Sequence, residues 1–199
     1  MSNKAVFNEE LAHEMLEKAL VSKRYRHSIN VMQTAVCLAM RYEYSLEEAK
    51  IAGLLHDCAR CFPSSQQISL CEEVQIPINE YEREYPHMLH AKLGAYLARK
   101  EYGIETKEIL NAIVFHTVGR PNMEMLEKII FVADYIEPDR DQAPNLKGIR
   151  KCAFTDIDKA IYLILKDTIS YLTKEKGDVG AEFLATYEFY EKLQKNSIL

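Results

Sequence analysis

Glycine and proline are scarce in this sequence, at 7 and 6 of 199 residues, and no low-complexity tract interrupts it. This scarcity argues against a disordered or collagen-like chain. Apolar residues make up 48% of the sequence, an ordinary share for a globular protein. A chain of this length can remove roughly two thirds of its surface from water on folding. We therefore expect one globular domain over residues 1–199.

Long apolar runs are also missing, since no stretch approaches the roughly 20 residues that cross a bilayer. The first seven residues, Met1 to Phe7, lack the apolar core of a signal peptide. Acidic residues outnumber basic ones by 30 to 25, and the basic residues are dispersed. This leaves no broad positive surface to attract nucleic acid. We expect a cytoplasmic protein that binds neither nucleic acid nor membranes.

Cysteine occurs five times, an odd number that suits reduced thiols: Cys37, Cys58, Cys61, Cys71 and Cys152. Cys58 and Cys61 form a CxxC pair. A structural zinc site would normally take a second such pair, and the other three cysteines are too scattered to offer one. We expect ordinary buried thiols, with a zinc or redox site at the pair as the alternative.

Apolar residues recur at helical spacing along most of the chain, and no stretch shows sustained strand-like alternation. Capping residues or the onset of the pattern predict helix starts at Asn8, Ser22, Ser45, Ser64 or Ser65, Met88, Thr106 and Asn122. Residues 77–86 are expected to be an irregular connector. Two C-terminal helices within residues 157–193 should complete the bundle or form a dimer surface. The predicted fold class is all-α, a single-domain helical bundle.

Histidine and aspartate occur where these apolar helices would otherwise carry core residues. His56 and Asp57 directly follow the apolar pair Leu54-Leu55. An all-α core has few spare backbone groups to satisfy such side chains, whereas a metal ion can be shared by neutral imidazole and carboxylate. Similar positions on other helices hold His27, His90, His116 and Asp134. These six residues are candidate metal ligands; hydrogen-bonded core histidines are the alternative.

The order His, His-Asp, His, His, Asp resembles that of the HD-domain superfamily of metal-dependent phosphohydrolases. Five sequence blocks sharpen the resemblance: Arg24 to Ser28, Ala52 to Asp57, His90 to Ala95, Ala112 to Gly119, and Val132 to Arg140. They follow one another between about Arg24 and Ala160. Together they resemble the YqeK-type HD proteins, which are symmetrical bis(5'-nucleosyl)-tetraphosphatases of bacteria.

The resemblance implies an HD-type enzyme that hydrolyses diadenosine tetraphosphate to two ADP at a dinuclear metal centre. The two ions would share Asp57, and iron is the expected metal, although manganese or zinc also suit these ligands. The implied metal ligands are His27, His56, Asp57, His90, His116 and Asp134. The implied catalytic residues are His56, Asp57 and Arg60. The implied substrate-binding residues are Arg24, His27, Arg60, His116, Thr117 and Arg140.

Two positions depart from the family pattern. Arg60 stands where a lysine is usual, and Cys58 stands where a tyrosine is common. Arginine keeps the positive charge, but its planar fork needs more room. Tyr135 and Glu137 are expected to support the site rather than to react.

Other functions remain open from the residues alone. They are a nucleotide phosphohydrolase with a different substrate, a mixed-valent diiron oxygenase, and a catalytically silent signalling module. The expected partner is a small-molecule dinucleoside polyphosphate or nucleotide. The apolar C-terminal helices would allow a homodimer without requiring one.

Overall fold

The computed structural model describes residues 7–175 and 179–196, and these contain α-helices and turns but no β-strand. The all-α prediction is confirmed. The helices are α1 (Glu9–Ala19), α2 (Ser22–Arg41), α3 (Leu46–Leu55), α4 (Ser64–Glu73), α5 (Glu80–Glu84), α6 (His90–Lys100), α7 (Lys107–Phe115), α8 (Met125–Ile136), α9 (Leu146–Ala153), α10 (Ile157–Glu175) and α11 (Ala181–Asn196). Two short 3₁₀-helices cover Cys58–Cys61 and Pro86–Met88.

Among the helices that the structure describes, none is both long enough and apolar enough to cross a bilayer. Residues 1–6, which belong to the segment considered for a signal peptide, lie outside the described residues.

Local capping explains where α1 and α3 begin. The Asn8 side chain accepts a hydrogen bond from the backbone N–H of Leu11 at 3.0 Å, and Ser45 Oγ accepts one from the backbone N–H of Glu48 at 3.3 Å. Both bonds satisfy N–H groups that the first turn of a helix leaves unpaired. The helix starts predicted at these two residues are confirmed.

Three other boundary predictions were wrong. Asn122 does not cap α8, because Glu124 does so in a reciprocal capping box with Glu127, while Asn122 lies in the left-handed region at φ 54°. The connector at residues 77–86 contains α5, which is begun by a capping box between Asn79 and Glu82. Pro63 occupies the cap position of α4, so Ser64 is that helix's first residue. In the first two cases, a glutamate three residues after the cap accepts a hydrogen bond from the cap residue's backbone N–H, and this bond determines where the helix starts.

The core of the bundle surrounds α2, which packs along α3 and α8. Leu38 of α2 and Ile130 of α8 are completely buried, as apolar residues at a helix interface should be. Of the two C-terminal helices, α10 packs against α8 and α9, and α11 packs against α10. Tyr190 of α11 is also completely buried, and its hydroxyl accepts a hydrogen bond from the backbone N–H of Met123 at 3.2 Å. These helices complete the bundle.

Gly53 allows α3 to approach α2 closely. A Cβ atom added to Gly53 would lie 2.7 Å from Met32 Cα and 3.1 Å from Met32 N, well inside the usual distance between non-bonded carbons. The carbonyl of Gly53 also accepts a hydrogen bond from His56 Nδ1 at 2.8 Å. The close contact therefore helps to set the distance between His56, at the end of α3, and the residues of α2.

Candidate metal centre

The ends of several helices converge and bring all six predicted ligands together. His27 lies in the second turn of α2, His90 begins α6, and Asp134 lies in the last turn of α8. His56 and Asp57 directly follow α3, and His116 directly follows α7. Four of them are buried, whereas His27 and Asp134 are partly exposed. Solvent therefore reaches His27 and Asp134 more readily than the other four residues.

Asp57 lies between two groups of these ligands. Its Oδ2 atom is 3.8 Å from His27 Nε2 and 3.6 Å from His56 Nε2, and His27 Nε2 is 3.0 Å from Asp134 Oδ1. We call His27, His56 and Asp134 the first ligand set.

The other oxygen of Asp57 faces the second ligand set, which consists of His90 and His116. Its Oδ1 atom is 3.3 Å from His90 Nε2 and 3.6 Å from His116 Nε2. Because each carboxylate oxygen faces a different set, Asp57 has the geometry to bridge two metal ions.

The histidine rings are oriented by bonds to their Nδ1 atoms. In three of them Nδ1 donates to the carbonyl three residues earlier: His56 to Gly53 at 2.8 Å, His90 to His87 at 2.6 Å, and His116 to Ile113 at 2.7 Å. His27 Nδ1 lies 3.4 Å from Glu137 Oε1 instead. These bonds leave each Nε2 free to act as a ligand and select the tautomer that metal binding needs.

The spacing of the ligand atoms fits metal coordination. Atoms held about 2.1 Å from one ion lie about 3.0 to 3.4 Å apart in octahedral or tetrahedral geometry. In the first set, the Nε2 atoms of His27 and His56 are 3.3 Å apart, and His27 Nε2 lies 3.0 Å from Asp134 Oδ1. In the second set, the Nε2 atoms of His90 and His116 are 3.1 Å apart. The cluster could therefore hold metal.

Burial and mutual contact favour the neutral form of two of these histidines and the ionised form of both aspartates. Burial lowers the pKa of His56 to about 4 and holds the pKa of His90 well below its ordinary value. Burial alone would raise the pKa values of Asp57 and Asp134, but the neighbouring histidines outweigh it and lower both. Neutral imidazoles and ionised carboxylates are the forms that coordinate divalent ions.

The same pKa shifts predict that the metal-stripped protein loses stability in acid. A histidine in the unfolded chain takes up a proton near pH 6.5, whereas His56 in the folded protein resists protonation until about pH 4. Unfolding therefore takes up a proton in this window, and acidification favours it. Burial, the largest single influence on His27, lowers its pKa, but the hydrogen bond to Asp134 and the negative charges of Asp134 and Asp57 together outweigh burial and raise it, so His27 acts in the opposite direction. We expect the free energy of unfolding to fall by about 2 to 3 kcal/mol between pH 7 and pH 4.5.

Urea unfolding with a chelator present would measure this dependence. A His56→Gln variant supplies the control, since it lacks the imidazole and should show a shallower decline. An equal decline in both proteins would assign the acid sensitivity to other groups.

Two arginines contact opposite oxygens of Asp57. Arg24 Nη1 donates to Oδ2 at 2.7 Å, and Arg60 Nε donates to Oδ1 at 3.3 Å. Their side chains are 38% and 28% exposed, so both can meet a ligand from solvent. Arg60 thus reaches the site despite the size of its planar head group.

Arg140 and Thr117 lie beside different ligand sets. Arg140 Nη2 donates to the backbone carbonyl and Oδ1 of Asp134, at 2.9 and 3.2 Å. Thr117 Oγ1 lies 3.1 Å from His116 Nε2 and 3.3 Å from His90 Nε2. Guanidinium and hydroxyl groups are common phosphate-binding groups, so anion binding is available at both sets.

Glu137 supports His27 from behind the first ligand set. Its carboxylate lies 3.4 Å from His27 Nδ1 and accepts hydrogen bonds from Asn30 Nδ2 at 2.9 Å and the backbone N–H of Asp139 at 2.7 Å. The Glu137 side chain is only 5% exposed. This arrangement holds the imidazole of His27 in place, which is the kind of supporting position expected for Glu137.

Arg150 of α9 was missed by the sequence analysis. Its guanidinium donates to the backbone carbonyls of Ile136, Glu137 and Arg140 at 2.9, 2.6 and 3.1 Å, and to that of Pro138 at 3.3 Å. It thereby pairs carbonyls that the C-terminus of α8 leaves unsatisfied and fixes loop 136–140. A cation in the last turn of a helix is too common in sequences to have signalled this role.

The CxxC pair lies outside the ligand sets. Cys58 is buried and its Sγ donates to the carbonyl of Gly94, while Cys61 Sγ donates to the carbonyl of Cys58. Burial raises the pKa of both thiols, which makes them poor nucleophiles. Among the described residues, the groups able to hold a metal include no cysteine. Both thiols therefore act as weak hydrogen-bond donors to backbone carbonyls.

Sequence comparison shows the family of this chain. The family model described as HD domain matches residues 24–139, which is more than half of the chain and includes both ligand sets. The chain belongs to the HD domain family.

Two relatives of this HD protein carry the same name. A symmetrical bis(5'-nucleosyl)-tetraphosphatase of Halalkalibacterium halodurans is 42% identical over 182 residues, covering 90% of this chain and 95% of the relative.

The second relative of this HD protein comes from Bacillus subtilis. It is also a symmetrical bis(5'-nucleosyl)-tetraphosphatase, 37% identical, and the match covers 92% of this chain and 97% of the relative. A crystal structure from Clostridium acetobutylicum is described as a predicted HD superfamily hydrolase involved in NAD metabolism. It superposes with a TM-score of 0.91 at 36% identity, covering 95% of this chain and all of that one. The expected HD-type fold is confirmed.

Proposed function

We propose that this HD protein is a symmetrical bis(5'-nucleosyl)-tetraphosphatase that hydrolyses diadenosine tetraphosphate to two ADP. The observation that carries the proposal is Asp57, whose two oxygens face separate ligand sets and each contact an arginine, Arg24 or Arg60. Relatives with this named activity match nine tenths of the chain at 37% and 42% identity.

The proposal assigns one metal ion to each ligand set. His27, His56 and Asp134 would hold the first ion, His90 and His116 the second, and Asp57 both. Iron is the proposed metal, and manganese or zinc are the alternatives, because mixed imidazole and carboxylate ligands suit all three. The four buried ligands would also keep bulk water from the inner side of the centre.

Cations on both sides of Asp57 would bind the polyphosphate. Arg24 and Arg140 lie beside the first ligand set, and Arg60 and Thr117 lie beside the second. A tetraphosphate chain laid across Asp57 would therefore meet positive charge at both ends. This placement would centre the middle anhydride bond on the metal centre, which symmetrical cleavage requires.

The reaction adds one water molecule across the central P–O–P linkage. The water oxygen bonds to an inner phosphorus, the P–O bond of the leaving diphosphate breaks, and two ADP molecules result. When bound, the metal ions would lower the pKa of water and polarise phosphoryl oxygens. Asp57 stays ionised because its pKa is held low. The guanidinium groups of Arg24, Arg60 and Arg140 would offset negative charge on the leaving diphosphate.

The arrangement favours this activity over the alternatives. Three arginines at the ligand sets favour a phosphorylated substrate over oxygen activation alone. A catalytically silent module would be expected to lack ligands, and all six are present. A different nucleotide substrate would use the same groups, so product analysis must separate that case.

The test is to incubate the iron-loaded protein with diadenosine tetraphosphate under nitrogen and separate the nucleotides by ion exchange. We expect ADP as the sole product and no hydrolysis by a His56→Ala control. Equal amounts of AMP and ATP would show asymmetric cleavage and overturn the placement of the phosphates. Intact substrate with metal bound would exclude this dinucleotide.

A cytoplasmic location and one domain over residues 1–199 belong to the same proposal. All five cysteines are free, which suits a reducing compartment. The proposed partner is a small dinucleoside polyphosphate, with no nucleic acid or membrane partner. Sedimentation analysis would test whether the protein forms a homodimer.

A further inference from the structure

A polar cavity of about 630 Å³ opens beside the first ligand set. The first turns of α2 and the segment that follows α8 form its walls: Val21, Lys23, Arg24, Arg26, His27, Glu137, Asp139, Arg140, Asp141 and Gln142. Because His27, Arg24 and Arg140 belong to these walls, the cavity is continuous with the candidate metal centre. Its volume falls in the range of about 300 to 1,000 Å³ that is usual for small-molecule sites.

We propose that this cavity binds the second nucleoside diphosphate half of the dinucleotide, and that Lys23 and Arg26 hold its phosphates. The inference rests on the proposed function and deepens it. It concerns the half of the substrate that extends from the first ligand set, away from Arg60 and Thr117.

The charges in the cavity favour a polyanion. Lys23 and Arg26 add two cations to those that contact the metal ligands, and both are exposed. Three acids also line the cavity: Glu137 is buried and already bonded to Asn30, Asp139 forms an exposed ion pair with Arg26 at 3.2 Å, and Asp141 is exposed. The four cationic side chains of the wall outnumber them. An exposed pair of this kind is held by about 1 kcal/mol or less, so a phosphate can displace Asp139 from Arg26.

The first turn of α2 adds to this preference. Its N-cap residue is Val21, whose side chain makes no capping hydrogen bond to the N–H groups of the first turn. These groups carry partial positive charge. Val21 itself is 75% exposed and offers an apolar surface at the cavity for part of a nucleoside.

One wall of the cavity is held in place. Arg150 binds the carbonyls of Ile136, Glu137 and Arg140, so loop 136–140 does not have to be ordered by the ligand. A preformed site loses less conformational entropy on binding than a mobile one.

Steady-state kinetics with diadenosine tetraphosphate would test the two cations. We expect Lys23→Ala and Arg26→Ala each to raise KM about 3- to 10-fold with a smaller change in kcat, because each removes a contact present in both the bound and transition states. Arg99→Ala is the matched control, since Arg99 is exposed on α6 and does not line the cavity.

The Asp139→Asn variant distinguishes two possible roles of Arg26: binding phosphate in the cavity, or holding loop 136–140 through its ion pair with Asp139. If Arg26 binds phosphate, loss of the competing carboxylate should leave KM unchanged or lower it. If the Arg26–Asp139 pair only holds the loop, Asp139→Asn should raise KM as Arg26→Ala does, and that result would overturn the proposal.

Calorimetric titration with ADP distinguishes failure of this inference from failure of the proposed function. We expect the metal-loaded protein to bind two ADP per chain and the Lys23→Ala/Arg26→Ala variant to bind one. Equal stoichiometry in the two proteins would overturn the subsite. Two ADP in the unmodified protein and one in the variant, without hydrolysis of the dinucleotide, would support the subsite and reject the proposed reaction.

Discussion

Replacement of Asp57 by asparagine should abolish hydrolysis and metal binding together, lowering kcat/KM roughly 10³-fold or more. Asparagine has nearly the same shape, but its neutral amide offers one oxygen instead of two charged ones. Since Oδ1 and Oδ2 of Asp57 face different ligand sets, one set would lose its shared ligand and both would lose the negative charge. Elemental analysis of purified protein, together with steady-state kinetics, would measure both effects.

Single-set variants provide the comparison for Asp57→Asn. His90→Gln removes a ligand from the second set only, so we expect it to lower metal content by one ion per chain. Asp167→Asn makes the same chemical exchange on α10, where Asp167 accepts hydrogen bonds from Asn145, and should keep the full metal content. Retention of two ions by Asp57→Asn would show that Asp57 is not the shared ligand.

The second large effect is expected from Gly53→Ala, which should lower the free energy of unfolding by about 2 kcal/mol. The new Cβ would lie 2.7 Å from Met32 Cα, and a backbone atom cannot move aside unless α2 and α3 separate. Alanine's better helix propensity, worth up to about 1 kcal/mol, offsets only part of this cost. Because His56 bonds to the Gly53 carbonyl, metal affinity should fall as well.

Gly148→Ala is the matched control for this prediction. Gly148 lies within α9, is exposed, and would have nothing within 4 Å of an added Cβ atom. The same substitution should therefore stabilise the protein there by about 0.5 to 1 kcal/mol. Urea unfolding of both variants should give changes of opposite sign. Stabilisation by Gly53→Ala would contradict the close approach of α2 and α3.

Some of the helix boundaries could be predicted because their signals are local. Asn8 and Ser45 cap helices through bonds to residues three positions away, so the pattern is visible in the sequence. Asn122 was misjudged because Glu124, an unusual cap, forms the reciprocal bonds with Glu127. A good capping residue indicates only that a start is available, and neighbouring side chains decide between competing starts.

Residues that act through backbone carbonyls could not be predicted. Arg150 binds four carbonyls of loop 136–140, and no pattern of side chains records which carbonyls a fold leaves unpaired. Lys23 and Arg26 could not be predicted from the sequence either, for a different reason. In sequence they are two exposed cations among many, and the cavity that makes them neighbours of the metal centre forms only when α2 packs beside the end of α8.

The sequence by itself determined the helical class and the chemical types of the six ligands, because imidazole and carboxylate groups in apolar helices require a partner that metal can supply. Only the tertiary structure decided how these candidate ligands are arranged around Asp57. Asp57 places each oxygen against a different set because the ends of α3, α6, α7 and α8 meet beside α2. Those distances depend on how closely the helices pack, and contacts such as that between Gly53 and Met32 set them.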